Sequence, residues 1–301
     1  MSRILAKNIA KSFYANSQPE GAGATVRRCI SGRNTIDPFL MCDIFEVSPP
    51  AGFPDHPHRG FETVTYMLEG TSAHEDFAGN RGLIETGGIQ WMTAGRGIVH
   101  AEMPITKSKG IQLWINLSAK NKMIEPSFQN LSDEKIPKAN PEEGIEVKVI
   151  AGSSFGVKSN VFTRTPTMML DIKLSKGKKI EQEIPKNYRG FIYVWEGSAY
   201  FGGNRFNGQE SYALFLDDNN GDYLPVDAAD SNVRFMLFAG QPLEEPIVSY
   251  GPFVMNTEEE IFQAMSDYNK YSNGFEKAKK WRSSIGDGVA EIDFEKEFKN
   301  H

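Results

Sequence analysis

Short apolar runs separated by turn residues dominate this sequence and restrict the folds open to it. Turn signals such as Glu69-Gly70, Gly79-Asn80 and Glu196-Gly197 recur about every ten residues, a spacing typical of β-sandwiches and β-barrels. Runs of this length suit strands better than helices. The sequence therefore predicts an all-β fold, with strands at 63–68, 83–84, 112–117, 147–151, 168–173, 191–195 and 233–238.

A faint internal repeat indicates two related halves. Residues 65–70, TYMLEG, resemble residues 192–197, IYVWEG, which follow 127 positions later. Each copy runs from an apolar strand into Glu-Gly, then into a glycine-rich hairpin and a later apolar strand. Chance recurrence of one strand ending is the alternative, but the matching flanks favour duplication. The polar segment 132–144, with Pro137 and Pro141, is the predicted linker, so we expect domains at 1–137 and 138–301.

Helical pattern occurs only near the C-terminus. Asn256 or Thr257 is placed to cap a helix over 258–268, with Glu259 and Glu260 in its first turn. A second short helix is predicted over 275–282. Its basic segment, EKAKKWR at 276–282, is of mixed sign and is most simply a solvated helix face.

Charge and cysteine content argue against direct nucleic-acid binding and against a disulfide scaffold. The net charge of −6 provides no electrostatic footprint for nucleic acid. Cys29 and Cys42 are the two cysteines, too few for a disulfide scaffold; they either pair or, more simply, remain packed thiols. Neither a signal peptide nor a run of roughly 18 apolar residues is present. We therefore expect a cytoplasmic monomer without membrane contact, with nuclear localisation left open for a eukaryotic source.

The distribution of histidines is the most informative local feature. His56 and His58 form an H-x-H pair, and His100 and Glu102 have the same spacing. Side chains at i and i+2 of a strand point to one face. Two antiparallel strands inside a barrel would therefore bring all four groups around one ion. Residues 101–300 contain no histidine, so only the first half can carry an imidazole site.

Three imidazoles and a carboxylate suit first-row transition metals, namely Fe, Ni, Cu, Mn or Zn. A closed structural zinc site is a weaker alternative, because such sites favour cysteine ligands and neither cysteine lies in the motif. His74 is expected to be exposed or to lie behind the ligands. Glu62 is expected on the face of His58, as a hydrogen-bond acceptor for a ligand, as a replacement ligand for Glu102, or as a salt-bridge partner.

Four segments together resemble the pirin family of the cupin superfamily. They are DPFL at 37–40, GFPDHPHRGFETVTY at 52–66, GNRG at 79–82 and QWMTAGRGIVHAEMP at 90–104. The run at 90–104 is highly specific for this family, whereas an H-x-H pair alone would not distinguish it from other proteins. The resemblance continues to GPFVMNT at 251–257 and so covers nearly the whole chain. The second half matches more loosely, and the tail 271–301 least.

The resemblance implies two tandem cupin (jelly-roll) β-barrels facing each other, with short C-terminal helices. The N-terminal barrel, 1–137, would hold one divalent metal through His56, His58, His100 and Glu102. Fe(II) is the first choice, with Ni, Cu, Mn or Zn as alternatives. The C-terminal barrel, 138–301, has Glu183 and Pro185 in place of His56 and His58, and is therefore expected to be free of metal.

Two activities of different class follow from the resemblance. The first is quercetin 2,3-dioxygenase chemistry, in which O₂ cleaves a flavonol-like aromatic substrate and Glu102 serves as catalytic base. The second is a metal-dependent, redox-sensitive regulatory protein, acting as a transcriptional co-regulator or as a partner of a metabolic enzyme. A third reading is another cupin enzyme with an unrelated substrate, because cupin folds host many chemistries.

Overall fold

The computed structural model describes residues 5–21, 23–204, 206–219 and 221–287. Of the predicted tail 271–301, the part from 288 onward, with His301, lies outside these residues. The strands are β1 (Ile9–Tyr14), β2 (Ser17–Glu20), β3 (Ala24–Ile30), β4 (Phe39–Val47), β5 (Phe53–His58), β6 (Phe61–Glu69), β7 (Thr71–Asp76), β8 (Arg81–Glu85), β9 (Ile89–Thr93), β10 (Ile98–Pro104), β11 (Ser108–Asn116), β12 (Ser127–Leu131), β13 (Lys138–Ala139), β14 (Ile145–Ala151), β15 (Ser153–Ser154), β16 (Val157–Lys158), β17 (Thr167–Leu174), β18 (Lys179–Glu183), β19 (Arg189–Phe201), β20 (Phe206–Gln209), β21 (Tyr212–Leu216), β22 (Tyr223–Asp227), β23 (Val233–Gly240), β24 (Val248–Tyr250) and β25 (Phe253–Met255). The helices are α1 (Glu258–Lys270) and the 3-10 turns Gly32–Asn34, Ala119–Asn121, Asp133–Lys135 and Glu276–Lys279.

The prediction of an all-β fold is confirmed. Each predicted strand coincides with an observed one; for example, 63–68 lies inside β6 and 191–195 inside β19. The agreement has a local cause, because alternating apolar residues and closely spaced turns are visible in any short window of sequence.

Two antiparallel sheets build the first compact unit, which comprises residues 17–35, 39–133 and 243–287. The larger sheet has the order β12-β9-β6-β11-β4-β3-β2, and the smaller one β5-β10-β7-β8. Ile84 of β8 packs with Val26, Phe45 and Met67 of the larger sheet, so apolar side chains of the two sheets meet. The unit is a sandwich whose interior is lined by alternate residues of each strand.

Helix α1 packs against the first unit, with Ile261 and Ala264 in one cluster with Met92, Ile98 and Val99. The Thr257 hydroxyl accepts a hydrogen bond from the Glu260 amide, and the Glu260 carboxylate accepts one from the Thr257 amide. This capping box selects Thr257 of the two candidate caps. The helix extends to Lys270, two residues beyond the predicted end, and buries Ile261 and Ala264.

The prediction of a second helix over 275–282 is wrong. Only the 3-10 turn Glu276–Lys279 forms, and no side chain caps its start. The chain beyond this turn is held against β5, because the Ser283 amide donates a hydrogen bond to Asp55 at 3.2 Å. This contact keeps the segment out of a helical conformation. None of the described helices is long and apolar enough to cross a lipid bilayer.

The second compact unit comprises residues 5–16, 36–38 and 134–242. Its main sheet has the order β1-β21-β19-β23-β17-β14-β13, with β18, β20 and β22 attached. The core is almost entirely aliphatic and aromatic; Ile172, Val194, Phe201, Phe235 and Leu237 are examples.

The observed units differ from the predicted domains, 1–137 and 138–301, at both ends of the chain. The break at 133/134 lies inside the predicted linker. However, residues 5–16 belong to the second unit, because β1 pairs with β21. Residues 243–287 belong to the first unit, because the helix and its preceding strands pack on Met92, Ile98 and Val99. Pairing between strands that lie more than 200 residues apart in the sequence cannot be recognised from the local pattern of apolar residues and turns.

Candidate metal centre

Strands β5 and β10 bring three histidines together. The two strands are antiparallel, with His56 opposite His100 and His58 opposite Ile98. The ligand atoms of His56, His58 and His100 all lie within 4.8 Å of one another. Two ligands on opposite sides of one ion, each at about 2.1 Å, would be about 4.2 Å apart. Small side-chain adjustments therefore suffice for one ion to contact all three imidazoles.

The free ring nitrogens suit metal binding. His56 Nδ1 lies 2.7 Å from the Pro54 carbonyl oxygen; as a donor there, it leaves Nε2 unprotonated. Nδ1 of His58 and both ring nitrogens of His100 are buried without a hydrogen-bond partner among the described residues. Burial, followed by the neighbouring imidazoles, holds the pKa of His58 and His100 well below the ordinary value. Neutral imidazoles are the form that binds metal, and buried polar atoms of this kind need a partner.

Glu102 lies beside the cluster but outside the 4.8 Å group. A one-residue register shift between β10 and β5 separates His100 from Glu102, and such irregularities re-aim side chains. The carboxylate accepts hydrogen bonds from the Thr65 hydroxyl at 2.7 Å and from the Gln112 amide at 3.1 Å. Burial raises its pKa, while Thr65, His56 and Gln112 oppose the rise. Both bonds come from the larger sheet, so Glu102 points into the interior of the unit.

The structure decides between the two alternatives for His74 and corrects the expectation for Glu62. His74 is buried rather than exposed, in agreement with the second alternative, because β7 pairs with β10 and places His74 directly opposite Glu102. Burial lowers its pKa to about 4. Glu62 does not share the face of His58. Gly60, at φ 90°, interrupts the alternation between the two strands, and Glu62 accepts a hydrogen bond from Thr93 at 2.6 Å.

A cavity of about 590 Å³ opens next to the histidines. His56, His58 and Glu102 are among its lining residues. Trp114 also lines it, with its ring 5.3 Å from that of His58. The apolar lining includes Leu40, Phe45, Phe53, Trp114 and Ile247. This volume is in the range of small-molecule sites.

Sequence reasoning missed a line of polar side chains that crosses five neighbouring strands of the larger sheet. The register pairs Gln90 with Thr65, Thr65 with Gln112, Gln112 with Asp43, and Asp43 with Arg28. Directly opposite residues share a face of the sheet, so these five side chains form one row, called the polar row below. The available signal was a polar residue inside otherwise apolar strands, as in TVTYM and IQLWI.

The second unit has a different interior. Glu183 is exposed at the end of β18, while the preceding Gln182 is buried and accepts a hydrogen bond from the Ser154 hydroxyl at 2.7 Å. In the part of the chain that the structure describes, the group around His56, His58 and His100 is the one cluster with metal-ligand spacing.

Comparison with known proteins agrees with this geometry. The family described as "Pirin" matches residues 22–115, and "Pirin C-terminal cupin domain" matches residues 169–274. A pirin-like protein of Solanum lycopersicum is 53% identical over 282 residues, covering 91% of this chain and 96% of the relative. Pirin of Homo sapiens is 49% identical over 287 residues, covering 93% and 98%.

Solved structures include a close match in fold and sequence. The crystal structure of quercetin 2,3-dioxygenase from Acinetobacter baumannii superposes with a TM-score of 0.82 at 32% identity, covering 89% of this chain and 99% of that one. The two matched family domains, together with relatives of about half identical sequence over nine-tenths of the chain, show that this protein belongs to the pirin family and is built from two cupin domains.

Proposed function

We propose that this protein is a metal-dependent dioxygenase that cleaves quercetin or a related flavonol with O₂. The observation that carries the proposal is the group of three imidazoles, His56, His58 and His100, two of which have buried nitrogens without a partner, beside a cavity of about 590 Å³. The Acinetobacter baumannii enzyme, similar in sequence and fold, supports the reaction class.

The metal ligands in this proposal are His56, His58, His100 and Glu102. A divalent ion, with Fe(II) as the first choice, would supply Lewis acidity toward the ionised 3-hydroxyl of a flavonol and a template for its reaction with O₂. His56 is held in one tautomer by the Pro54 carbonyl. A shift of Glu102 toward the imidazoles would complete the ligand set, and it requires the hydrogen bonds from Thr65 and Gln112 to adapt or follow.

Glu102 is the proposed catalytic base. Its buried carboxylate lines the cavity and would take the proton of the 3-hydroxyl. Thr65 and Gln112 hold the two oxygens in a fixed orientation. The apolar wall at Trp114 and Phe53 would hold the flat rings and exclude water from the reacting end. Ring cleavage then yields a depside and carbon monoxide, which together contain all atoms of flavonol and O₂.

The decisive experiment measures O₂ uptake with quercetin by protein reconstituted anaerobically with Fe(II). A His100→Ala variant, with metal analysis of both proteins, is the matched control. Saturable uptake that is lost in the variant is the expected result. No uptake by protein that holds one metal per chain would overturn the proposal. It would favour the metal-dependent binding protein instead, and a partner search with and without metal would follow.

The role of Glu102 is tested separately. Glu102→Gln keeps the size of the side chain but removes its basicity, so turnover should fall by about 10²-fold or more, the usual contribution of a general base. Metal content must be measured alongside. A variant that retains metal and turns over at the wild-type rate would remove the base from the mechanism.

A further inference from the structure

We propose that Asp43, Arg28 and Glu20 form a hydroxyl-binding subsite that selects aromatic molecules carrying neighbouring hydroxyl groups at the end remote from the metal. The three residues are called the outer triad. The inference rests on the proposed function in one respect, because the reacting end of the molecule is placed at the metal. It adds a specificity determinant that the reaction itself does not require.

The first argument is position. All three residues of the outer triad line the same cavity as His56 and Glu102. In the polar row, Gln112 of β11 contacts Glu102. Asp43 lies opposite Gln112 on the neighbouring strand β4, and Arg28 lies opposite Asp43 on β3. With neighbouring strands about 4.8 Å apart, Arg28 lies roughly 10 Å from Gln112 across the sheet. That separation is comparable with the span of two linked aromatic rings.

The second argument is rigidity. Arg28 Nε and Nη2 donate to Asp43 at 2.9 and 2.7 Å, and Nη2 also donates to Glu20 at 2.9 Å. Asp43 is 5% exposed, whereas the side chains of Arg28 and Glu20 are 33% and 41% exposed, so a buried carboxylate anchors two partners that remain accessible to a ligand. A planar, bidentate pair fixes the direction of its remaining donors and acceptors. Such a pre-organised site loses little entropy when a ligand binds.

The third argument is charge. Two carboxylates and one guanidinium give the outer triad a net charge of −1, which disfavours an anionic group on the ligand. A carboxylate can accept about four hydrogen bonds, so Asp43 and Glu20 retain acceptor capacity beyond their bonds to Arg28. The bonds of Arg28 to Asp43 and Glu20 use Nε and Nη2, which leaves Nη1 to donate to a ligand. Neighbouring hydroxyls match this pattern, since each can donate to a carboxylate and accept from the guanidinium.

Apolar side chains flank the polar row. Phe45 lies two residues from Asp43 on β4, and Trp114 lies two residues from Gln112 on β11, so both share the face of the polar row. Phe53 of the smaller sheet meets Phe45 edge to face at 6.2 Å between ring centroids, and Trp114 continues the apolar surface toward His58. A molecule bound here would meet the polar row with apolar side chains on either side of it. The cavity therefore favours a flat aromatic ring system with hydroxyls along one edge. The outer triad would bind the hydroxyls at the end of that edge remote from the metal.

The test is an anaerobic titration, so that binding is measured without turnover. Fe(II)-loaded protein is titrated with three 3-hydroxyflavones that carry zero, one or two adjacent hydroxyls on the pendant phenyl ring. Quenching of tryptophan fluorescence reports binding, because Trp114 lines the cavity. In the wild type, affinity should rise about tenfold from zero to two hydroxyls, since a site built to bind a hydroxyl discriminates against its absence.

Three variants assign the effect. Asp43→Asn should reduce the gain to twofold or less, and Glu20→Gln should reduce it to about threefold. Glu46→Gln is the matched control, because Glu46 lies on the same strand, outside the cavity lining, in an ion pair of 3.9 Å with Lys109. It should retain the full gain. Should Asp43→Asn fail to fold or to retain metal, Arg28→Lys, which loses the bidentate fork, takes its place with the same expected loss.

The outcomes separate the two proposals. Equal affinity of the wild type for all three ligands, or equal loss for all three in the Asp43 and Glu20 variants, would overturn the subsite. Oxygen uptake does not enter this result. Discrimination between the ligands without O₂ uptake would support the subsite and overturn the proposed dioxygenase activity. Uptake of O₂ without discrimination would support the dioxygenase activity and overturn the subsite.

Discussion

Arg59 and Asp267 form a buried ion pair, with Arg59 Nη1 donating to Asp267 Oδ2 at 2.7 Å. Arg59 directly follows His58, and its other nitrogens donate to the carbonyl oxygens of Arg96 and Asn273, each at 2.6 Å. The guanidinium also lies 4.8 Å from the centre of the Phe275 ring. One side chain therefore ties the histidine-bearing strand to helix α1 and to the segment that follows it.

Loss of this pair should be strongly destabilising. Asp267→Ala leaves the Arg59 charge buried without its partner, and we expect a loss of about 3–5 kcal/mol in the free energy of unfolding. Urea-induced unfolding measures the change. Glu146→Ala, which breaks an exposed pair with Lys173, is the control and should cost less than about 1 kcal/mol. Similar costs for both variants would show that the buried pair has no special role.

Lys122 should make stability rise with pH. Its ammonium is buried and donates to Asn116 Oδ1 at 2.6 Å and to the carbonyl oxygens of Gly60 and Val254. Burial lowers its pKa from the ordinary 10.5 to about 8. Between these values the unfolded chain binds more protons than the folded chain, so stability increases as pH rises through this window. The full effect is roughly 3 kcal/mol.

The comparison for this effect is Lys122→Met. Unfolding of the two proteins in urea is measured from pH 7 to 9.5. Above pH 8 the free energy of unfolding of the wild type should increase relative to that of the variant. Below pH 8 the difference between the two free energies should stay constant. Parallel curves over the whole range would mean that Lys122 titrates normally and that burial does not shift its pKa.

Gln112 should control metal affinity through Glu102. Gln112→Leu removes the donor to Glu102 Oε2 and leaves the carboxylate less well oriented. Loss of such an outer partner commonly weakens metal binding 10–100-fold, and competition with a chelator measures it. Thr63→Val, a buried change on β6 two residues from Thr65, is the control and should leave affinity within about twofold. Unchanged affinity in Gln112→Leu would argue against Glu102 as a ligand.

Gly82 should be required for the position of His74. A Cβ atom added at Gly82 would lie 2.9 Å from His74 Nε2, and the buried ring has little room to move. We expect Gly82→Ala to cost about 1–3 kcal/mol, as overpacking of a core does. In a His74→Ala background the same change should cost much less. Additive effects of the two substitutions would show that the residues do not compete for the same space.

Local features of this chain could be deduced without a structure. Alternation of apolar residues and closely spaced turns predicted the strands, because a strand pattern is complete within a few residues. The pairs His56/His58 and His100/Glu102 were identified as candidates since residues at i and i+2 share a face of any regular strand. The cap at Thr257 is likewise a local arrangement, formed with Glu260 three residues later.

Contacts between distant strands were decided by the tertiary structure. Thr65 and Gln112 reach Glu102 from the opposite sheet, and His74 stands opposite Glu102 because β7 pairs with β10. Glu62 faces away from the cluster, since Gly60 breaks the alternation that the sequence pattern assumed. Strand pairing joins residues tens to hundreds of positions apart, and a period of two residues contains no information about the partner strand. The ligand candidates were therefore predictable, whereas the side chains that orient them and line the cavity were not.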